Sequence, residues 1–373
     1  MDRVICILTT AHEPLDHRIF FKEAKSLAAA GYRVVLIAPH ERAETVAGIE
    51  IVPLRIPRNR WERMLSTSAR LLQLALHERA DAYHFHDPEL IPAALVLKLI
   101  GRRVIYDVHE DVPRDIMLKH YIPSVLRRAV AWVAGLIEQV AARAFDAIVV
   151  TTEDIQRHFA WHRRVRLVRN LPVLSWYGVA STPHNGRGPF TLVYAGGLAP
   201  VRGITEIVQA MSLLPPRSDV RLILCGRWSP AEYEDTIRTL PGFTRTQYIG
   251  NLAVDEVPAV LAEAHAGIIC LHPTDTYLTA LPTKLFEYMA AGLPVIASYF
   301  PLWKNIVEGS GAGVCVDPKD PSAIARAILE LHEEPALRLQ MGANGRRAAE
   351  ARWNWQTEER VLTAMYRDIF GMS

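Results

Sequence analysis

Short apolar runs alternate along most of the chain with longer stretches in which apolar residues return every three or four positions. Val4–Leu8, Arg33–Ala38, Ala82–Phe85, Val104–Tyr106 and Ala147–Thr151 are short and rich in β-branched or aromatic residues, and they predict strands. Between them, Arg18–Ala30, Glu89–Ile100 and Val125–Ala144 carry helical spacing, the first closed by Gly31. Residues 171–190, "LPVLSWYGVASTPHNGRGPF", break the rhythm with Pro, Gly, Ser, Thr and Asn and predict a linker. The alternation then restarts. Strands are expected at Thr191–Ala195, Arg221–Cys225, Gly267–Leu271 and Val295–Ala297. Helices are expected at Gly203–Leu213, Val254–Ala264, Lys284–Ala291, Pro321–Glu333 and after Pro335. Two such α/β units in tandem predict two doubly wound parallel sheets, each with helices on both faces. Ligands belong at the carboxyl ends of such strands, where helix N-termini point.

Length supports the division, because 373 residues exceed one ordinary core and fit two domains of roughly 150–200 residues. Half the residues are apolar and 22% are charged, as in a well-packed globule. No apolar run reaches the roughly 18 residues that a spanning helix needs. The first apolar run is too short for a signal peptide and lacks a small-residue cleavage site, so it reads as a first strand of a cytoplasmic protein. Cys6, Cys225, Cys270 and Cys315 have neither metal nor redox spacing and read as reduced thiols. Charge is uneven: residues 1–170 hold 25 Lys and Arg against 20 Asp and Glu, and the rest 17 against 20. The basic first half either faces an anionic lipid or substrate or carries scattered surface arginines. Nucleic-acid binding has little support, since the charge is weak and no recognised module occurs.

Two stretches carry chemistry. In "YAGGLAPVRGI", Tyr194 to Ile204, a strand runs into Gly196 and Gly197, then into Arg202 and a helix start. Glycines there admit a close ligand, and a helix start with an arginine favours an anion. In "LTALPTKLFEYMAAGLPVIAS", Leu278 to Ser298, Pro282 and Thr283 open a helix that Gly292 and Pro294 stop. The free amides of its first turn, with Lys284 and Arg202, would form a diphosphate cradle. Glu287 is a double acceptor suited to vicinal hydroxyls such as a ribose's, or else an i,i+3 surface partner of Lys284. Neither a dinucleotide fingerprint nor a Walker-type loop is present.

"GGLAPVRGI" followed some eighty residues later by "LPTKLFEYMAAGLPVIAS" resembles family 4 of the retaining nucleotide-sugar glycosyltransferases. "LDHRIFFKEAKSLAAAGYRVVLIA", "DAYHFHDPELIPAALVLKLIGRRVIYDVHED" and "YIGNLAVDEVPAVLAEAHAGI" extend the likeness along nearly the whole chain. The resemblance implies the GT-B fold, two Rossmann-like doubly wound parallel-sheet domains facing a central cleft. The boundaries it implies are 1–172 for the first domain, 173–190 for the linker and 191–355 for the donor domain, with 356–373 crossing back. It implies transfer of a hexosyl or related group from a nucleoside diphosphate sugar to an acceptor hydroxyl with retention, without a metal or other cofactor. Cell-surface polysaccharide, glycolipid or another glycoconjugate would be the product. Arg202 stands where the family usually has a diphosphate-binding lysine, and Glu287 matches its ribose-binding glutamate. His109 matches a histidine by the donor sugar, so domain closure would complete the site. Gly196, Gly197, Gly226, Asn251, Leu281, Thr283 and Lys284 complete the implied donor site. His12, Asp16, His17, His86 and Asp111 are implied as acceptor or first-loop residues. Two departures stand out. Thr279 occupies the place of the first Glu of Glu-x7-Glu, and Gly197 replaces a common arginine.

The departure at Thr279 leaves open a catalytically weakened nucleotide-sugar-binding partner subunit. His12, Asp16, His17, His84, His86, Asp87, His109, Glu110 and Asp111 invite another class, a metal-dependent hydrolase, against structural or substrate-contacting histidines. Arg58–Ala80 and Leu118–Phe145 are basic helical stretches with Trp, Leu and Val. Their apolar stripes either pack in the first domain or lie on an anionic bilayer, as a peripheral protein on the inner face of the plasma membrane would have.

Overall fold

A computed structural model of the chain describes residues 3–109, 111–118, 122–178 and 188–372. The chain divides into two compact units, Met1–Asn170 with Thr357–Ser373, and Leu171–Gln356. Part of the expected linker, 179–187, lies outside the described residues. Among the described residues, no helix is long and apolar enough to cross a membrane.

Among the described residues the first unit holds eight strands: β1 Val4–Leu8, β2 Arg33–Pro39, β3 Glu44–Val46, β4 Ile49–Leu54, β5 Ala82–Phe85, β6 Arg103–Val108, β7 Ala147–Val150 and β8 Val165–Leu167. Their order is β3-β4-β2-β1-β5-β6-β7-β8, parallel throughout except for the edge pair β3 and β4. Short β3, β4 and β8 escaped the apolar pattern, since charged residues interrupt them. Alternation along the central strands sends Tyr83, Phe85, Val104 and Tyr106 into one hydrophobic cluster. His84 and Asp107 point to the opposite face, both fully buried. The expected helix Arg18–Ala30 opens instead as a π-helical turn, Ile19–Ala24, before Lys25–Ala29. That wider turn buries the consecutive residues Lys22 and Glu23 completely. The expected helix Val125–Ala144 is helix α1, Ser124–Ala142.

Among its described residues the second unit holds six parallel strands: β9 Phe190–Ala195, β10 Val220–Cys225, β11 Thr246–Tyr248, β12 Ala266–Ile269, β13 Val295–Ser298 and β14 Gly313–Val316. Their order is β11-β10-β9-β12-β13-β14, so the winding reverses between β9 and β12. A doubly wound sheet opens its ligand crevice at such a reversal. Helix α2, Thr283–Ala290, buries Leu285, Phe286, Tyr288 and Met289 against β12 and β13. The last helix, α3, Trp355–Phe370, buries Tyr366 in the first unit, where its hydroxyl meets His84 Nδ1 at 3.0 Å.

Candidate functional site

At the reversal point Gly196 follows β9 directly, and its φ of 139° suits glycine. A Cβ there would overlap the Lys284 ammonium, so the glycine is what lets the lysine pass. Lys284 Nζ donates to the Tyr194 hydroxyl at 2.9 Å and lies 4.1 Å from that ring's centroid. Burial, with the Arg202 charge nearby, pulls its pKa down to about 7. The Tyr194 hydroxyl in turn donates to the Gly197 carbonyl at 3.0 Å, and Arg202 lies over Gly197. Burial pushes the Tyr194 phenol up to about 12, against the pull of Arg202. Gly226, at the end of β10, donates to the Gly250 carbonyl at 2.7 Å, and a Cβ on it would strike the Gly196 carbonyl. Gly196, Gly197, Arg202, Gly226 and Lys284 therefore form one cluster.

Helix α2 starts at Thr283 behind Pro282, and no side chain caps its first turn. An uncapped start leaves amides directed at whatever occupies the crevice. Lys284 is buried under Gly196 rather than lying on a wet helix face, because the cluster draws its ammonium inward. Glu287 is half-buried and hydrogen-bonds the Tyr177 hydroxyl. Burial and then the Glu287 charge push that phenol up. Tyr177 sits in the predicted linker, so this support for Glu287 had no signal in spacing. Leu281 is half-buried, Asn251 is exposed after Gly250, and Thr279 is exposed at the end of the short helix Asp275–Thr279. His272 pairs with Glu206 at 3.0 Å, a contact no motif announced.

The first unit gathers a second group at the carboxyl ends of β5 and β6. Arg18 reaches Glu23 Oε1 at 2.8 Å and Asp107 Oδ2 at 2.9 Å. His109 Nε2 lies 3.0 Å from His86 Nδ1 and 3.2 Å from Asp107 Oδ1. Burial would raise the Asp107 pKa, but Arg18 and His109 hold it well below the usual carboxylate range. The His12 and His109 rings lie 5.6 Å apart between centroids and are tilted by 52°, and His12 pairs with Asp16 at 3.5 Å and Asp87 at 3.7 Å. Burial opposes protonation of His12, yet Asp16 and Asp87 raise its pKa. Asp16 also accepts the Arg18 and Ile19 amides, each at 2.8 Å, capping the π-helical turn. Asp87 accepts the Thr9 hydroxyl at 2.8 Å and the Thr10 amide at 2.6 Å. His17 is driven down to about 3 by burial and Lys22. Asp111 accepts the Arg114 amide at 3.0 Å at the start of the helix Val112–Leu118. Glu110 lies outside the described residues. Arg18 and Glu23 are the functional candidates that spacing missed, since a helix periodicity assigns them no partner.

Residues 19–173 match the glycosyl transferase 4-like domain, and residues 182–348 match glycosyl transferases group 1. The chain belongs to the group 1 glycosyltransferases. It is 23% identical over 369 residues to the phosphatidyl-myo-inositol mannosyltransferase of Mycolicibacterium smegmatis, covering 93% of this chain and 88% of that one. Sucrose-phosphate synthase from Thermosynechococcus elongatus superposes with a TM-score of 0.78 at 19% identity, over the whole of both chains. Anabaena HepE in complex with UDP-glucose superposes with a TM-score of 0.73 at 16% identity, covering 98% of this chain and 99% of that one. This glycosyltransferase has the GT-B fold.

Proposed function

We propose that this glycosyltransferase moves a hexosyl or related group from a nucleoside diphosphate sugar to an acceptor hydroxyl with retention, in glycoconjugate synthesis. The observation that carries the reading is the cradle at Gly196 and Gly197. Lys284, Arg202 and the uncapped start of α2 surround the place where a diphosphate's charge develops. Preorganised donors of this kind act most strongly on a leaving group. The bond from the anomeric carbon to the diphosphate oxygen breaks and a bond to the acceptor oxygen forms. The acceptor proton passes to the leaving phosphate. Glu287, held by Tyr177, takes the ribose hydroxyls, and His109, held by His86 and Asp107, orients the sugar. The donor reading needs no metal at the diphosphate. A donor screen monitored by nucleoside diphosphate release, with the product's anomeric configuration read by proton NMR, tests it. The expected result is one preferred donor, retained configuration and a rate indifferent to added magnesium or manganese. Binding without turnover would instead make the chain a partner subunit, and an inverted product would remove the retaining step.

The acceptor side of the proposal is a peripheral enzyme on an anionic membrane, at the inner face of the plasma membrane. Helix α1 supports it, because the helix faces the opposite way from a core helix. It buries Ala131, Glu138, Ala141 and Ala142 and leaves Val125 84% and Trp132 69% exposed. Leu126, Val133, Leu136, Ile137 and Val140 share that exposed side. Glu138 is fixed inside by the Tyr106 hydroxyl at 2.7 Å, and burial pushes its pKa up to about 7. Its only carboxylate is thus turned inward, while Arg128 is exposed near its start and Arg143 just past its end. An apolar stripe edged with arginines suits acyl chains below and anionic headgroups beside them.

A further inference from the structure

We propose that the first unit binds one divalent transition metal of the zinc class on Glu23, His84, His86 and Asp107. The four side chains each offer a ligand atom, and these atoms lie within 4.8 Å of one another. His84 Nε2 stands 3.5 Å from Asp107 Oδ2, and His86 Nε2 stands 3.6 Å from Glu23 Oε2. Ligands about 2.1 Å from a tetrahedral zinc are roughly 3.4 Å apart, so these two edges already have the right length. The remaining edges close when the ion binds.

Three further observations favour an ion over a set of ordinary polar contacts. Both imidazoles are engaged on their outer nitrogens, His84 Nδ1 by Tyr366 and His86 Nδ1 by His109, each at 3.0 Å. Such outer partners are what aim a ligating Nε2 inward. The Nε2 atoms of both rings and Glu23 Oε2 are buried and make no hydrogen bond of proper geometry, while Glu23 Oε1 is paired with Arg18, and buried polar atoms are rarely left so. None of the four residues is more than 3% exposed, so the site is closed, with four protein ligands, as structural zinc sites are. Imidazole with carboxylate suits zinc, and also cobalt as a probe.

Arg18 is the competing cation. It supplies one positive charge to two carboxylates and leaves Glu23 Oε2 to the ion. The role is structural, joining β5, β6 and the Ile19–Ala24 turn. It does not depend on the donor reading, because its readouts are metal content and spectrum rather than turnover.

The test uses the full chain, assayed for metal by mass spectrometry as purified, then stripped and titrated with Zn2+ or Co2+. The expected result is one ion per chain and intense visible Co2+ bands of a four-coordinate site. Glu23→Gln and His84→Gln should each weaken uptake by more than about 10–100-fold, the loss that removing an outer partner alone gives. A folded wild-type chain that takes up less than about a tenth of an equivalent overturns the proposal and leaves the cluster held by protons and Arg18. Uptake that both folded variants leave unchanged also overturns it, since surface histidines would then hold the ion. If a variant fails to fold, the wild-type stoichiometry and spectrum decide.

Discussion

Lys284 is held beneath Gly196 with a pKa pulled down to about 7 by burial and then by Arg202. In the free protein it is therefore neutral above that pH, whereas a bound diphosphate favours its charged form. Binding above pH 7 must take up a proton, so donor affinity should fall as pH rises, by at most about tenfold per unit. Calorimetry in buffers of different ionisation enthalpy measures the proton directly. Lys284→Met should weaken donor binding by about 10–100-fold, the scale of a charged hydrogen bond, and abolish the proton uptake. An unchanged pH slope in that variant would assign the titration to another group. Lys284, Arg202 and Glu287 were legible from a strand ending in Gly-Gly and a helix opening with Pro-Thr. Their immediate supports were not, because Tyr194 and Tyr177 reach them through space, and local spacing carries no such information.

Helix α1 marks the limit of periodicity at the level of an element. Its apolar stripe predicts a helix and its length correctly within two residues at each end, but a stripe does not say which way it faces. Glu138 decides, since a carboxylate that finds the Tyr106 hydroxyl turns Trp132 and Leu136 outward. The alternative that this stripe packs in the first unit is therefore corrected. Flotation with phosphatidylglycerol vesicles should carry the full chain upward, and phosphatidylcholine vesicles should not. A Trp132→Glu, Leu136→Glu double variant should remain at the bottom with its fold intact, because a charge on the lipid side costs about 2–3 kcal/mol. If the variant instead converts a dimer to a monomer, with no lipid binding in either form, the face is a protein interface. The strands of the central sheets were legible for the opposite reason: buried on both faces, they read as unbroken apolar runs.

Across the whole molecule each unit has its own core, and the implied roles divide between them. The residues proposed for the diphosphate all lie in the second unit, while His109 belongs to the first. His109→Ala should lower turnover by about 100-fold or more, the usual weight of a positioned catalytic group, while nucleotide affinity stays as in the wild type. Equal losses in both would place His109 in donor binding instead. Within the second unit the Ala195 amide donates to the Tyr288 hydroxyl at 3.0 Å, and that ring leaves no room for a Cβ at Gly267. Helix α2 is thereby tied to the last residue of β9, so the two parts of the cradle move together or not at all. Lineages that changed their sugar would have found this frame closed to gradual adjustment. Their variation is expected at the exposed rim, at Asn251 and Thr279, where a new side chain displaces only water. A library built to retarget the enzyme should begin at those two positions and leave the tyrosine alone.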